Sequence, residues 1–307
     1  MKFSFFFLLL LPYTIFVISE SNYKFCISQT RTIGRSCQAV QKGNSQIVCV
    51  PATDSADCAL KFQRKEVDFA IFSAEDALLV SKFINDDVRI IGELRNQDWI
   101  NETFAFQTVV VVKETYIGGF QSLQSSNYCH PGFGDGQFWT DRVLKQFEAT
   151  VVPHYCNGIL TTVEQEITSL AHFFKSACRP GQWSLDDFVD KNLKKNFPSL
   201  CSLCDSPGRC AYSEEFQNSH KEALACLTEN GGDVTYVSLQ HVKEYFGLIP
   251  GFRAKAPAEK YKFLCSDATS QSLGKPCTWI NQSWPLVVAL KLRKSFPLEI
   301  IVAHFSL

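Results

Sequence analysis

Apolar and polar positions change period repeatedly along this chain, and each change marks an element. Tyr23–Ser28 alternates as a short strand, and 46–50 forms a second. Residues 53–64 read as a helix with Ala56, Ala59 and Leu60 on a rough apolar stripe. A mostly apolar strand at 67–72, a helix at 74–83 and a strand at 88–94 follow. Such strand–helix alternation predicts βαβ units and a mainly parallel sheet. The strongest strand signal is Phe104–Lys113, with consecutive valines from Val109 to Val112. Gly118-Gly119 then breaks the chain, and a second α/β unit begins.

That second unit is predicted to hold helices at 138–148 and 163–177, the latter with Val163, Ile167, Leu170 and Phe174 at helical spacing. A Cys-rich loop at 198–210 precedes a helix at 214–227, a strand at 234–237, a helix at 239–246 and strands at 261–264 and 283–289. Residues 291–307 carry little pattern. Two α/β sub-domains joined by long strands form a clamshell whose interdomain cleft is the default ligand site.

The chain turns on Tyr128-Cys129-His130-Pro131-Gly132-Phe133-Gly134-Asp135-Gly136, with Trp139 and Thr140 close behind. A possible short strand, a Gly-rich turn and a helix start make an anion cradle, because the first helical turn leaves N–H groups unpaired. Asp135 contradicts this, since it puts a negative charge where a cation or hydroxyl is wanted.

Composition changes the picture in three ways. Residues 1–19 have the form of a secretory leader: Lys2, an apolar run from Phe3 to Ile18, then Ser19. A single anchoring helix is the rival reading of that run, but it is short and no basic stop follows. Elsewhere no run is long enough to span a membrane, so no transmembrane anchor is expected. The 13 cysteines are too many for a reducing compartment and predict disulfides in a secreted protein, with at least one thiol lacking an internal partner, either free or joined to another molecule. Two acceptor sequons, at Asn101 and Asn281, agree with that setting. Formal net charge is −1 and no dense basic run occurs, which argues against a nucleic-acid partner.

Candidate chemistry is sparse. Asp135, His130, His154 and His220 could form a zinc-type site, against the blander reading that the histidines are surface or hydrogen-bonded core residues. Cys201-x-x-Cys204 has the spacing of a zinc or redox pair, but a structural double bridge suits a secreted chain better. Ser73 lacks a nucleophile elbow and fits a helix N-cap ahead of Glu75 and Asp76. No nucleophile–base set is visible, so no enzyme is expected. The nested positions of Cys26, Cys37, Cys49 and Cys58 suit an outer and an inner bridge, without fixing connectivity.

Residues 57–79, 103–113, 128–136 and 222–237 together resemble one lobe of a transferrin, and the similarity runs over about residues 23–290. Cysteine order, the Cys-His-x-Gly-x-Gly turn and Gly231-Gly232-Asp233-Val234 carry the resemblance. It implies a type II periplasmic-binding-protein-like α/β clamshell with mixed sheets, rich in disulfides. The lobe would span 20–290, with sub-domain 1 at about 23–107 plus 272–290, sub-domain 2 at about 108–271, and a short tail at 291–307. A transferrin lobe continues well beyond that tail, so a trimmed or truncated lobe is expected.

The implied disulfides are Cys26–Cys58, Cys37–Cys49, Cys129–Cys226, Cys178–Cys204, Cys201–Cys210 and Cys265–Cys277, leaving Cys156 unpaired. A transferrin lobe holds ferric ion with an aspartate, two tyrosines and a histidine, and carbonate with a threonine, an arginine and a helix N-terminus. The resemblance places these at Ser73, Phe106, His220 and Trp284 (or Pro285), and at Pro131 and Asp135. Of these only His220 is an effective donor, and Pro131 deletes a backbone N–H. The resulting expectation is a single-lobe protein that has lost its ferric and carbonate ligands. It would need no cofactor and would act on an unknown extracellular protein or small ligand. The alternative is an extracellular iron(III) carrier using Fe3+ with carbonate.

Overall fold

The structure, a computed structural model, describes residues 22–28, 37, 41, 46–83, 88–95, 100–133, 139–156, 158–213 and 215–291. The proposed leader and nearly all of the tail lie outside them. The chain forms two compact units. The first comprises the chain up to Glu93 and from Leu286 onward, and the second is Leu94–Pro285. Residues 94–107 and 272–285, expected in the first sub-domain, therefore belong to the second. The reason is pairing: Ile280–Gln282 hydrogen-bonds antiparallel to 106–108.

Unit 1 is a five-stranded sheet. Its strands are β1 (Tyr23–Ser28), β2 (Ile47–Ala52), β3 (Phe69–Phe72), β4 (Val88–Glu93) and β12 (Leu286–Leu290), in the order β2-β1-β3-β12-β4. β1 runs parallel to both β2 and β3, whereas β12 returns antiparallel between β3 and β4, so the sheet is mixed. Helices α1 (Ser55–Gln63) and α2 (Ala74–Phe83) share one core with it. The face that α1 buries is Cys58, Ala59 and Phe62, which keeps only Ala59 of the expected stripe: Ala56 and Leu60 are exposed. Its start is set by Asp54, whose carboxylate accepts from Asp57 N–H at 2.8 Å, while Asp57 accepts from Thr53 N–H at 3.0 Å.

Unit 2 is built on a seven-stranded sheet. β5 (Phe106–Lys113) is central and fully paired: β8 (Val234–Ser238) lies along one edge, β9 (Tyr261–Leu264) and β11 (Ile280–Gln282) along the other. β10 (Ser270–Ser272) extends β9, and β6 (Asn127–Cys129) and β7 (Ser176–Cys178) continue in parallel beyond β8. Val109–Val112 are all fully buried, which explains a run of valines with no alternation. Around the sheet lie α3 (Asp141–Val151), α4 (Thr162–Phe173), α5 (Asp187–Asn196), α6 (Ser219–Thr228) and α7 (Leu239–Tyr245).

Several boundaries depart from expectation, two of them for the reasons below, and one helix, α5, is not foreseen. The helix expected at 163–177 stops at Phe173, because Ser176–Cys178 forms β7 and carries Cys178 to Cys204. The helix expected from 214 starts at Ser219, since the Asn218 side chain accepts from His220 and Lys221 N–H. α5 has no clear apolar stripe in sequence; the Asp186 cap and the burial of Asp190 and Leu193 define it.

Six disulfides are closed, Cys26–Cys58, Cys37–Cys49, Cys129–Cys226, Cys178–Cys204, Cys201–Cys210 and Cys265–Cys277, the pairs the resemblance implies. Cys201 and Cys204 thus belong to two bridges and form no metal pair. Cys156 is free and exposed. The Gly231–Val234 stretch locks β5, β6 and β8 together: Asp233 accepts from Lys113 Nζ at 2.7 Å and from Asn127 N–H at 3.0 Å. A Cβ on Gly232 would meet Cys129 Sγ at 2.5 Å, so the residue must be glycine to pass the disulfide.

Candidate functional site

The turn after β6 is held from below by a buried ionic network. Arg179 is 1% exposed; its Nε and Nη2 donate to the two carboxylate oxygens of Glu148, each at 2.9 Å. Nη2 also donates to Glu166 at 2.7 Å, and Lys145 closes the chain on Glu166 at 2.8 Å. Burial works against the Arg179 charge, but Glu148 and then Glu166 outweigh it and hold its pKa above normal. The guanidinium lies 4.5 Å from the centre of the Phe133 ring, which in turn stacks on His130 at 4.8 Å.

His130 is completely buried and both ring nitrogens are engaged. Nδ1 accepts the Gly132 N–H at 2.7 Å and Nε2–H donates to the Leu144 carbonyl at 3.2 Å. Burial, then the Arg179 charge, pushes its pKa well below the usual value, so the ring is neutral. The Phe133 N–H donates to the Pro180 carbonyl at 3.0 Å. Among the described residues of the turn, both amides after Pro131, those of Gly132 and Phe133, are therefore used internally, and Pro131 has none. Asp135 lies outside the described residues. The anion cradle read from the glycines has no donor to offer at Pro131, Gly132 or Phe133.

The positions at which the resemblance sets the two tyrosines do come together, both within unit 2. Phe106 opens β5, and His220 sits in the first turn of α6. Between them is Trp139, just ahead of the Thr140 cap of α3. Its ring stacks on Phe106 (centroids 4.9 Å, planes 23° apart) and packs against His220 at 4.4 Å. Beyond His220 stands His241, edge-on at 5.3 Å. Trp139 is 7% exposed and His220 6%. His220 Nδ1 accepts the Ser238 N–H at 3.3 Å, and burial, then His241, lowers its pKa well below normal. Sequence reasoning passed over Trp139 as a site residue; a bulky aromatic three residues after a Gly-rich turn was the only signal.

The side chains at two other family positions, Ser73 and Trp284, are held by intrachain hydrogen bonds. Ser73 caps α2, accepting from Asp76 N–H at 3.0 Å. Trp284 is buried, donates through Nε1 to the Glu102 carbonyl at 3.0 Å, and lies under Arg95 at 5.7 Å. The reading of the histidines as surface or hydrogen-bonded core residues fits His130, whose ring nitrogens are both used, His220, which is buried and accepts from Ser238 N–H, and His154, which is exposed; Asp135 lies outside the described residues. Among the described residues no three His, Cys, Asp or Glu side chains are placed to hold a metal ion.

Among the described residues, mixed sheets, seven helices and six disulfides define an α/β protein of the type II periplasmic-binding-protein-like class. Comparison with known proteins makes this specific. The Transferrin family model matches residues 16–292, and the chain belongs to the transferrin family. It is 32% identical to a transferrin of Blaberus discoidalis over 85% of this chain and 37% of that protein. It is 29% identical to a transferrin of Sarcophaga peregrina over 86% and 43% respectively. Its fold matches the solved structure of transferrin 1 from Manduca sexta with a TM-score of 0.70 and 26% identity, over 92% of this chain and 45% of that one. The chain spans less than half the length of these relatives.

Proposed function

We propose that this is a secreted, non-enzymatic transferrin-family lobe that has lost ferric-ion and carbonate binding and acts by binding an extracellular protein or a small non-iron ligand. The observation that carries the reading is Trp139 stacked between Phe106 and His220, at the positions where the family resemblance sets the two tyrosines. Hard ferric ion prefers anionic oxygen donors, and here an indole separates a phenyl ring from a neutral imidazole. At the first family position Ser73 is committed to capping α2, and at the fourth Trp284 offers no donor to a metal. The carbonate positions fare no better, with Pro131 lacking an N–H and Asp135 bringing the wrong charge.

Secretion is supported by the leader-like residues 1–19 and by the six disulfides. Glycosylation is supported by the exposure of both sequon asparagines, Asn101 and Asn281. No described helix is long and apolar enough to cross a membrane. The alternative, an extracellular iron(III) carrier using carbonate, draws on family membership. Purified protein titrated with ferric ion and bicarbonate decides between them. The expected result is no visible tyrosinate charge-transfer band and no stoichiometric iron; a band with one iron per chain would overturn the proposal.

A further inference from the structure

The chain leaves α6 through a dipeptide that the candidate site does not use, Asn230-Gly231. α6 stops at Thr228, and the backbone turns at Gly231 with φ +81°, a conformation that favours glycine, before entering β8 at Val234. Asn230 and Gly231 are both exposed, and the space over Gly231 is open: a Cβ built there meets no atom within 4 Å. Its neighbours are engaged. The Asn230 and Gly232 N–H groups both donate to the Cys226 carbonyl, and Asp233 N–H donates to the Asn127 carbonyl. Among the described residues the Gly231 N–H donates to nothing.

The Asn230 amide is a fastener. Its Nδ2 donates to Asp205 Oδ1 at 2.9 Å, and Asp205 Oδ2 accepts Ser213 N–H at 2.9 Å. Asp205 lies in the loop between Cys204 and Cys210, so this surface bond ties the Cys-rich loop to the end of α6. Glycine after asparagine also leaves the next backbone nitrogen unshielded, since no side chain stands between it and the amide carbon.

We propose that Asn230 is a modification site that deamidates spontaneously in the folded protein, with water as co-reactant, and that the product unfastens α6 from the Cys-rich loop. The Gly231 nitrogen, its proton lost to hydroxide, attacks the Asn230 side-chain carbonyl carbon. The new C–N bond closes a succinimide ring as the bond to Nδ2 breaks, and the amide nitrogen leaves as ammonia with protons from water. Water then opens the ring. Cleavage at the side-chain carbonyl gives aspartate, and cleavage at the main-chain carbonyl gives isoaspartate. One water is consumed and one ammonia released, with nothing oxidised or reduced.

Either product sets a carboxylate against that of Asp205, where an amide now donates, so attraction becomes repulsion. Isoaspartate also lengthens the backbone just ahead of Gly232, which has no room to shift: its Cβ would meet Cys129 Sγ at 2.5 Å and Leu227 Cα at 2.9 Å. The isoaspartate form is therefore the less stable of the two. The site goes beyond the proposed loss of iron binding and does not depend on it.

The test incubates the full chain with its six disulfides at neutral and mildly alkaline pH, beside the reduced, alkylated chain as unfolded reference. Peptide mapping follows a gain of about one dalton at Asn230 and separates it from Asn157-Gly158, the other Asn-Gly of the chain. The folded protein should form both products at Asn230 at a rate within about tenfold of the reference, and faster at the higher pH. Asn230→Asp should lower the thermal midpoint of fresh protein. Adding Asp205→Asn should restore it, because the amide and carboxylate then meet with their roles exchanged. The proposal is overturned by a folded-state rate below that range, by a rate that does not rise with pH, by an unchanged midpoint in Asn230→Asp, or by no recovery in the double variant.

Discussion

The Trp139 indole lies 4.4 Å from the His220 imidazole, centroid to centroid, and carries Phe106 on another contact. This row of rings brings β5, the start of α3 and the start of α6 together. Removing its middle member leaves a cavity among groups already fixed by disulfides and strand pairing. Trp139→Ala is expected to lower stability by about 3–5 kcal/mol, read as a shift in the urea midpoint. A loss below about 1 kcal/mol would mean that the row is not packed as described.

Arg179 and Glu148 form a buried bidentate pair, and each charge is compensated by the other. Arg179→Met should cost about 3–5 kcal/mol, because it strands a carboxylate under the Phe133 turn. Combining it with Glu148→Leu should recover much of that loss, since the stranded charge is then gone too. Denaturant unfolding of the two single variants and the double variant measures the coupling; strict additivity would contradict the geometry.

Three buried histidines make the lobe acid-sensitive. His130 and His220 have pKa values well below normal, and burial brings His241 down to about 4. In the unfolded chain each titrates near 6.5, so below that pH the unfolded state binds more protons than the folded one. Their contribution is complete above about pH 6.5 and declines as pH falls toward the folded values. Each histidine can contribute a slope of about 1.4 kcal/mol per pH unit. Unfolding midpoints at pH 7.5, 6 and 5 should fall progressively, and His241→Gln should flatten the lower part of the curve.

Gly181 has φ +88°, and a Cβ there would collide with the Phe133 carbonyl oxygen. Gly181→Ala must therefore displace the turn that the Arg179 network supports. It should cost at least about 1–3 kcal/mol, whereas Gly158→Ala, whose added methyl would meet open space, should be close to neutral. Comparison of secreted yield and thermal midpoint distinguishes the two.

Cys156 is exposed and outside the six bridges. Alkylation of the folded, unreduced protein should add one label, located at Cys156 by peptide mapping. Zero labels would indicate that this thiol is joined to another molecule.

Much of the fold is legible in the order of residues alone. β1, α2 and β9 fall within the bounds their periodicity predicts, because each has a face whose burial is written in local order. Short elements are not legible: β7, β10 and β11 have three residues each and exist through long-range pairing that no local pattern records. The unit boundary is displaced for the same reason, since β11 joins the sheet of β5 and not that of β12, the next strand in sequence.

For the candidate site the division is similar. Residue identities alone give Phe106, His220, Trp284 and Ser73 their chemistry, and put Pro131 and Asp135 in the turn. Chemistry of that kind is a property of side chains and survives any packing. That Trp139 stands between Phe106 and His220, that His130 spends both nitrogens on its own turn, and that Asn230 donates to Asp205 depended on tertiary structure. Each is a meeting of segments far apart in sequence, fixed by which surfaces exclude water together.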